Sequence, residues 1–289
     1  MGKLIRLDGV SFAGAPKLKQ FDEIETLGSL MLFDASTTVG LPNAGQSVPN
    51  LLATFTQKLT GQSAGLDFVV EFKSPNDENF IVERTSKGGI HGIIKHNSGN
   101  KASKAFILNG PTAVRDYMID NSNHAFFVSL WSKVTQRSIA TAAIQSPFNF
   151  STEMQSTTNY LFSSGNGGRF DGQNVTNKVC IPDLSDASLT LPIPTDRYNS
   201  AVFSGIVNQG MNLSKADKIR LGVGSFGAWN FYNADKGASR VIYRAYIEDL
   251  TVSGRTASQV QAIDQAMFNA AFSEGGKYHN DLYTQPESI

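Results

Sequence analysis

The chain has 289 residues, of which 40% are apolar and only 17% charged, and its 25 basic and 25 acidic side chains cancel to a formal charge of zero. Soluble domains usually carry about 25% charged residues, so the surface must be built largely from Asn, Ser, Thr and Gln. Without an excess of Lys and Arg, the electrostatic attraction that drives nucleic-acid binding is missing, and we expect no nucleic-acid partner.

Cys180 is the only cysteine, which excludes an intrachain disulfide and favours maturation in a reducing compartment. Its neighbours Val179 and Ile181 indicate a small buried apolar residue rather than a reactive thiol. The opening MGKLIRLDG has no continuous apolar core, so we expect neither a signal peptide nor a membrane anchor. No apolar run reaches the roughly 18 residues of a transmembrane helix, and no membrane contact is expected.

The predicted elements begin with an N-terminal arm or outer strand over residues 1–26, with one strand candidate at residues 4–10. From residue 27, LGSLMLFDAS predicts a buried strand. Successive Gly, Pro and Asn turn signals follow in residues 37–53, which we interpret as an ordered loop rather than a helix.

Strand candidates then follow at short intervals, separated by clusters of Gly, Asn, Asp and Pro. They cover residues 67–73, 80–84, 89–95, 104–108, 114–119, 125–135, 159–163, 188–193, 200–207, 218–223 and 240–252. Many strands with turn-rich connections predict an all-β protein, an antiparallel β-sandwich rather than alternating β and α units.

The strand at residues 125–135 has the clearest alternation of side chains. Its even-numbered positions from Phe126 to Val134 are mostly apolar, whereas Phe127 and Trp131 lie at odd-numbered positions. We expect the first set to face the core and the second to form a semi-exposed aromatic face.

One amphipathic helix is predicted near the C-terminus, over residues 256–272. Thr256 and Gln259 form a capping box at its start, and Gly275 with Gly276 favours its end. The apolar positions that would dock it on the sandwich are Val260, Ile263, Met267, Phe268, Ala271 and Phe272. Beyond it, residues 277–289 have no period and are predicted to form an extended tail.

Three segments of the sequence follow one another in an order that is typical of a known family. They are HAFFVSLWSKV at residues 124–134, KIRLGVG at residues 218–224 and YRAYIEDLTVSGRTASQVQAID at residues 243–264. Together they resemble the concanavalin A-like, laminin G-like jelly roll, in which an F-x-V-x-x-W strand, an R-L-G-x-G strand and a final strand with a short helix recur in this order. The earlier LMLFDASTTVGLPNAGQSVPNLLA is similar to the start of jelly-roll domains in virion proteins of tailed bacteriophages. The resemblance covers residues 27–272 and implies a jelly-roll domain, which with the end of its C-terminal helix we place at residues 27–276.

Known chemical motifs occur in the wrong context. GVGSFG at residues 222–227 matches a dinucleotide fingerprint, but a loop rather than a helix is predicted after it. GQSAG at residues 61–65 matches a nucleophile elbow, but a strand follows. The E-x-D-x-x-E run of jelly-roll glycosidases does not occur; Asp22-Glu23-Ile24-Glu25 lies outside the domain, and Glu248 and Asp249 should point to opposite faces. We expect no catalytic residues and no cofactor.

Metal ligation is not expected either. The histidines, His91, His96, His124 and His279, lack zinc spacing and are predicted to be solvated loop residues. Jelly-roll lectins often hold calcium with loop oxygens, and Asp171, Asn174 and Asp183 lie in a predicted loop but lack calcium-loop spacing.

One predicted loop has the composition of a ligand-binding or partner-binding surface. Its residues are Phe226, Trp229, Asn230, Phe231, Tyr232 and Asn233. Flat aromatic rings beside amides stack on sugars or anchor a protein interface, whereas the alternative is that Trp229 and Phe231 close one end of the sandwich.

These features and the resemblance imply a non-enzymatic virion structural protein, made in the host cytoplasm, that decorates the capsid or belongs to the tail. Its partners would be other capsid or tail subunits and further copies of itself. The predicted interface residues are Leu4, Ile5, Phe12, Tyr278, Leu282 and Tyr283. The alternatives are a lectin-like receptor or glycan-binding module, with a surface glycan as the partner, and a glycoside hydrolase.

Overall fold

The computed structural model describes residues 22–73, 78–99, 104–139, 147–151, 160–166, 179–183, 193–204, 218–224 and 234–288. The strands in these ranges are β1 (Ser29–Asp34), β2 (Ser47–Val48), β3 (Phe68–Lys73), β4 (Phe80–Arg84), β5 (Ile90–Ile94), β6 (Ala105–Asn109), β7 (Ala125–Gln136), β8 (Phe148–Ser151), β9 (Tyr160–Asn166), β10 (Val179–Asp183), β11 (Thr195–Ser204), β12 (Lys218–Gly224) and β13 (Ser239–Asp249). The helices are α1 (Ala53–Thr60), α2 (Thr112–Asp120), α3 (Leu250–Ser253) and α4 (Ala257–Phe272).

The strands form two sheets that pack face to face. In sheet A the order is β11-β7-β13-β5-β4, and β1 also pairs with β13; in sheet B the order is β10-β9-β8-β12-β6-β3-β2. Paired strands are antiparallel, except for β9 and β10, which are parallel. The described part of the chain is therefore mostly β with few helices, as expected of an all-β sandwich.

The main hydrophobic core fills the space between the sheets. From β7 and β13 of sheet A it takes Phe126, Val128, Leu130, Ile242, Ala245 and Ile247. From sheet B it takes Phe68, Val70, Phe106, Leu108, Phe148, Phe150, Ile219, Leu221 and Val223. In most of these strands every second residue faces the core. The two sheets are therefore held together by the apolar side chains that alternate along the sequence.

Helix α4 covers the opposite, outer face of sheet A. The capping box predicted for Thr256 and Gln259 is present, with both side chains bonded to the other residue's backbone N–H. Beneath the helix lie Phe127 and Trp131 of β7, each 1% exposed. The prediction that these two rings form a semi-exposed face is wrong because α4 packs on them; the ring of Phe268 meets Trp131 edge-on at 5.7 Å.

The burial of Val260 predicts how a charge on the inner side of α4 would act. Val260→Asp is expected to destabilise the protein by more than about 3 kcal/mol, because an unpaired carboxylate would replace a fully buried apolar side chain. Gln261→Asp, on the exposed side of the same helix, is the matched control and should shift the melting temperature little. Equal melting temperatures in scanning calorimetry would contradict the docking of α4.

One helix lies where the sequence predicts a strand, and another begins where the predicted loop ends. α2 covers residues 114–119, where the strand prediction is wrong because Val114 and Met118, four residues apart, are both buried on one helical face. This packing outweighs the β-propensity of the neighbouring Val, Tyr and Ile residues. α1 begins at the last residue of the predicted loop and ends at Thr60, and the next residue, Gly61, caps it with a left-handed φ of 70°.

The boundary of β13 also differs from the prediction of a strand over residues 240–252. The strand ends at Asp249, because the carboxylate of this residue accepts a hydrogen bond from the backbone N–H of Val252 and caps α3. The strand candidate at residues 4–10, and all of the candidate at residues 188–193 except its last residue, lie outside the described residues.

Both ends of the described chain pack on the sandwich. Ile24 is fully buried in a cluster with Leu32 of β1, and Tyr278 is fully buried in a cluster with Phe272 of α4. The compact fold therefore extends past residues 27 and 276, the predicted limits of the jelly-roll domain.

Candidate functional site

A β-bulge in β13 places two consecutive side chains on the outer face of sheet A. The pairing of β13 with β7 shifts register between Ile242 and Arg244. At a bulge two residues oppose one on the partner strand, so alternation is interrupted. As a result Tyr243 and Arg244 both point toward α4 and the C-terminal tail, where Tyr243 contacts Phe272 and Arg244 approaches Asp264.

Arg244 is the centre of a buried charge network, with 1% of its side chain exposed. Its two terminal nitrogens donate to the two carboxylate oxygens of Asp22 at 2.6 and 2.9 Å. Its Nη1 lies 3.6 Å from Oδ2 of Asp34, and its guanidinium lies 4.8 Å from the centre of the Trp131 ring. The attraction of these carboxylates outweighs the effect of burial and raises the pKa of Arg244, which therefore stays protonated.

Asp264, which lies on α4, is the third carboxylate near Arg244, and its side chain has no exposed surface. It accepts a hydrogen bond from Nε1 of Trp131 at 3.1 Å, and its Oδ1 lies 3.9 Å from Nε of Arg244. Burial raises the pKa of Asp264, because the attraction of Arg244 and the nearby polar groups only partly offsets desolvation. Among the described residues its Oδ2 accepts no hydrogen bond.

Asp34 ends β1 and joins the network to the C-terminal tail. The hydroxyls of Ser36 and Tyr278 donate to its Oδ1 at 2.6 and 2.7 Å, and Lys277 forms an ion pair with its Oδ2. Burial alone would raise the pKa of Asp34, but Lys277 and these hydrogen bonds outweigh it, and the pKa is lowered. Asp34 is therefore an ionised carboxylate that holds the tail.

A cavity of about 780 Å³ lies beside this network, between α4 and β1. Its lining combines acidic residues, Asp22, Glu23, Glu25 and Asp34, with apolar ones, Leu32, Leu51, Trp131 and Met267, and with Lys277. The volume is within the range of about 300–1,000 Å³ that is typical of ligand pockets. Its carboxylates favour a cationic occupant, and its apolar wall favours aliphatic or aromatic groups.

Another buried carboxylate, that of Glu248, fixes the turn that leads into α4. Nε of Arg255 donates to its Oε1 at 2.9 Å, and Nη2 pairs with its Oε2. The hydroxyl of Tyr246 donates to Oε2 at 2.7 Å and contacts the Ser29 hydroxyl at 2.7 Å. Glu248 thus joins β1, β13 and the start of α4.

Asp249, the next residue, belongs to a different cluster of side chains. This agrees with the prediction that Glu248 and Asp249 point to opposite faces of the strand. Its Oδ2 lies 2.6 Å from Nδ1 of His124 and accepts from the hydroxyl of Tyr117 at 2.8 Å. A buried carboxylate that orients an imidazole is a component of acid–base catalysis. Here the carboxylate also caps α3 through Val252, so it ties α2, β7 and α3 together.

The C-terminal tail is held on its own chain. The ring of Tyr278 packs at a tilted angle against that of Tyr243, with 4.4 Å between the ring centres. The prediction of Tyr278 as an interface residue is wrong, because its side chain is fully buried within its own chain. Asp281 accepts from the hydroxyl of Tyr243 at 2.8 Å. Leu282 is 72% exposed, and Tyr283 is half-buried, so the role of these two side chains in an interface stays a prediction.

The tail continues along the edge of sheet A to a buried histidine. His91 of β5 has no exposed surface; its Nδ1 lies 2.9 Å from Glu83, and its Nε2 lies 2.9 Å from Thr135. Glu83 also accepts from the backbone N–H and the hydroxyl of Thr284, both at 2.7 Å. The prediction that His91 is a solvated loop residue is wrong, because β5 is an interior strand of sheet A.

This contact predicts a loss of stability in acid. Burial lowers the pKa of His91 below its ordinary value, despite the attraction of Glu83. Below pH about 6.5 the imidazole therefore binds a proton in the unfolded chain but not yet in the folded protein. The melting temperature should therefore fall as the pH drops from about 7 toward the folded pKa. In His91→Gln, which cannot titrate, the fall over this interval should be smaller; an identical pH dependence in scanning calorimetry would contradict the assignment.

The outer face of sheet B carries a row of polar side chains across neighbouring strands. Asn109 of β6 donates to Oε2 of Glu71 at 3.0 Å, and Lys218 of β12 lies 3.8 Å from the same oxygen. Burial would raise the pKa of Glu71, but the hydrogen bond from Asn109 and the nearby cations lower it. Such a row can hydrogen-bond a polar ligand, although it contains one carboxylate rather than a catalytic pair.

Several predicted site residues fall outside the described part of the chain. These are the six residues of the aromatic loop, Phe226, Trp229, Asn230, Phe231, Tyr232 and Asn233, the interface residues Leu4, Ile5 and Phe12, and the loop residues Asp171 and Asn174. Asp183, the third residue considered for calcium, is the last residue of β10. Within the described ranges, no group of three or more His, Cys, Asp or Glu residues is arranged to hold a metal ion.

The network of Arg244, Asp34 and Asp264 was not predicted from the sequence. A usable signal exists in α4: Asp264 lies four residues after Val260 and four before Phe268, so it occupies the apolar face of the helix. A charge in such a position implies a buried partner. The sequence offers no signal that the partner is Arg244.

Comparison with known proteins adds no relative: no protein-family model matches the chain, and no curated protein matches it significantly. In the described part of the chain, no helix combines the length and apolar character needed to cross a bilayer.

Proposed function

We propose that the protein is a non-enzymatic virion structural protein of a tailed phage, a jelly roll that binds neighbouring capsid or tail subunits. The order of the three resembling segments supports the jelly roll. They correspond to β7, to β12 and to β13 with α3 and the first half of α4. β7 and β13 are neighbours in sheet A, and β12 lies between β8 and β6 in sheet B.

The observation that carries the non-enzymatic role is the use of buried charge. Asp34, Glu248 and Asp249 are almost fully buried, and each contacts a cation, an imidazole or a hydroxyl that belongs to a neighbouring element. A glycoside hydrolase needs two carboxyl groups that face its substrate, about 5 Å apart in a retaining enzyme. These three carboxylates instead fix helices and the tail on sheet A, which supports a structural rather than a catalytic role for them.

Quantitative mass spectrometry of purified virions tests the proposal. A decoration role gives many copies in each particle, a receptor-binding module gives few, and absence from the particle would overturn the proposal. The purified protein should release no reducing ends from host capsule or lipopolysaccharide. Turnover that a single Asp or Glu substitution abolishes would instead establish the glycosidase alternative.

Leu282 allows a test of the subunit contact. Leu282→Asp should leave the melting temperature unchanged and reduce incorporation into particles, because an exposed leucine would be replaced by a charge at an apolar interface. Leu27→Asp is a matched control, since Leu27 is 71% exposed and Leu282 is 72% exposed. Equal incorporation of the two variants would remove Leu282 from the interface.

A further inference from the structure

Small side chains on one side of α4 leave room for the cavity between α4 and β1. Ala266, Ala270 and Ala271 line it, and Met267 is the one large residue that α4 contributes to the lining. An alanine leaves space that a longer side chain would fill, so a gap remains between the helix and sheet A. Its volume of about 780 Å³ is enough to enclose most of a drug-sized molecule.

The lining of the cavity has an excess of negative charge. Its four carboxylates belong to Asp22, Glu23, Glu25 and Asp34. Arg244 pairs with the first and Lys277 with the last, so four carboxylates meet two cations and two negative charges remain. Among the described residues Glu23 and Glu25 form no ion pair, and Oε2 of Glu25 accepts no hydrogen bond although it is shielded from solvent. A carboxylate oxygen withdrawn from water favours a ligand that brings both a positive charge and N–H donors.

An apolar wall beside these carboxylates favours an organic cation over a metal ion. Leu32, Leu51 and Met267 contribute to this wall. A hydrated metal ion gains nothing from an apolar surface, whereas an alkyl or aryl group that contacts it is removed from water. A primary ammonium carries three N–H donors on a compact charge, and it suits two separate carboxylates better than a planar guanidinium does. The cavity therefore matches a molecule with an ammonium at one end and an apolar body.

We propose that this cavity binds a small amphiphilic amine, whose ammonium lies beside Glu23 and Glu25 and whose apolar body lies against Leu51 and Met267. The inference does not rest on the virion role, because the cavity is formed within one chain by β1, β7 and α4. These elements come together only in the folded chain, so the ligand binds the folded state and should raise its melting temperature.

Isothermal titration calorimetry of the full chain with phenethylamine tests the proposal, and two related compounds separate charge from apolar contact. Phenethylamine should bind with a Kd of about 1 mM, as expected of a ligand of this size. 3-Phenylpropionate keeps the ring but reverses the charge, and methylamine keeps the ammonium but lacks the ring; both should bind at least about tenfold more weakly. The absence of phenethylamine binding at about 10 mM would overturn the proposal, and so would equal affinity for either related compound.

Substitutions in the lining locate the bound amine. Glu23→Gln/Glu25→Gln should weaken phenethylamine binding by about threefold to thirtyfold, the effect of losing two ion pairs at a partly exposed site. Ala270→Phe should weaken it by at least about tenfold, because Ala270 is an exposed residue of the lining and a ring there occupies the space of the ligand. Both variants should melt close to the wild type in the absence of ligand, since these positions are not in the core.

Matched variants outside the lining serve as controls. Glu274→Gln/Glu287→Gln removes two exposed carboxylates, and Asn269→Phe places the same ring at an exposed position of α4 that does not line the cavity. Both should bind phenethylamine as the wild type does. If the lining variants and the control variants bind it equally, the amine is held elsewhere on the protein and the assignment to this cavity is overturned.

Discussion

Replacement of Arg244 by methionine is expected to destabilise the protein by about 3–5 kcal/mol, the usual cost of removing one partner from a buried ion pair. The methionine side chain keeps much of the apolar stem but removes the cation that lies among Asp22, Asp34 and Asp264. Asp34 retains Lys277, whereas Asp264 loses the cation nearest to it and remains fully buried. The uncompensated carboxylate of Asp264 is therefore the main source of the loss.

Urea denaturation followed by tryptophan fluorescence measures this loss as a lower midpoint. Lys218→Met is the control, because 48% of the Lys218 side chain is exposed and its loss should cost less than about 1 kcal/mol. If Arg244→Met and Lys218→Met unfold at the same midpoint, the network contributes nothing to stability.

A second substitution identifies Asp264 as the cause. In the double variant Arg244→Met/Asp264→Asn the buried group no longer needs a cation, so part of the lost stability should return, with a coupling energy above about 1 kcal/mol. The deficit of Arg244→Met should also shrink in acid. Burial already raises the pKa of Asp264, and a folded state that binds a proton more tightly than the unfolded state gains stability as the pH falls.

Those parts of the fold that depend on alternation of apolar and polar side chains could be predicted. β7 shows what this pattern predicts and what it does not. The alternation of Phe126, Val128 and Leu130 predicts the strand and its core face correctly, because packing between two sheets imposes a period of two. The same pattern could not show that Phe127 and Trp131 are covered. Their burial depends on α4, which lies more than 120 residues later in the chain.

The charge network is harder to predict because it depends on a bulge. Strict alternation along β13 would place Tyr243 on the same face as Ala245 and Ile247, in the core between the sheets. The register shift after Ile242 instead turns Tyr243 toward α4 and sets Arg244 beside it. No glycine marks the bulge in VIYRAYI, so local sequence gives no sign of it.

Tyr278→Ala should destabilise the isolated protein by about 3–5 kcal/mol, the range for removing a large buried aromatic side chain. The tail lacks a helical or strand period, which suggested an extended segment that reaches for a partner, whereas its side chains fill holes made by distant elements. Tyr278 contacts the rings of Tyr243 and Phe272 at 4.4 and 5.4 Å and donates to Asp34 at 2.7 Å.

Two matched variants separate these contributions by scanning calorimetry or urea denaturation. Tyr278→Phe keeps the ring but withdraws a hydrogen bond from a buried, ionised carboxylate, and it should cost about 1–3 kcal/mol. Leu282→Ala removes a side chain that is 72% exposed and should change stability by less than about 0.5 kcal/mol. The expected order of stability is therefore Leu282→Ala, Tyr278→Phe, Tyr278→Ala. If Tyr278→Ala is as stable as Leu282→Ala, the tail does not belong to the fold, and its aromatic residues become available again to a neighbouring subunit.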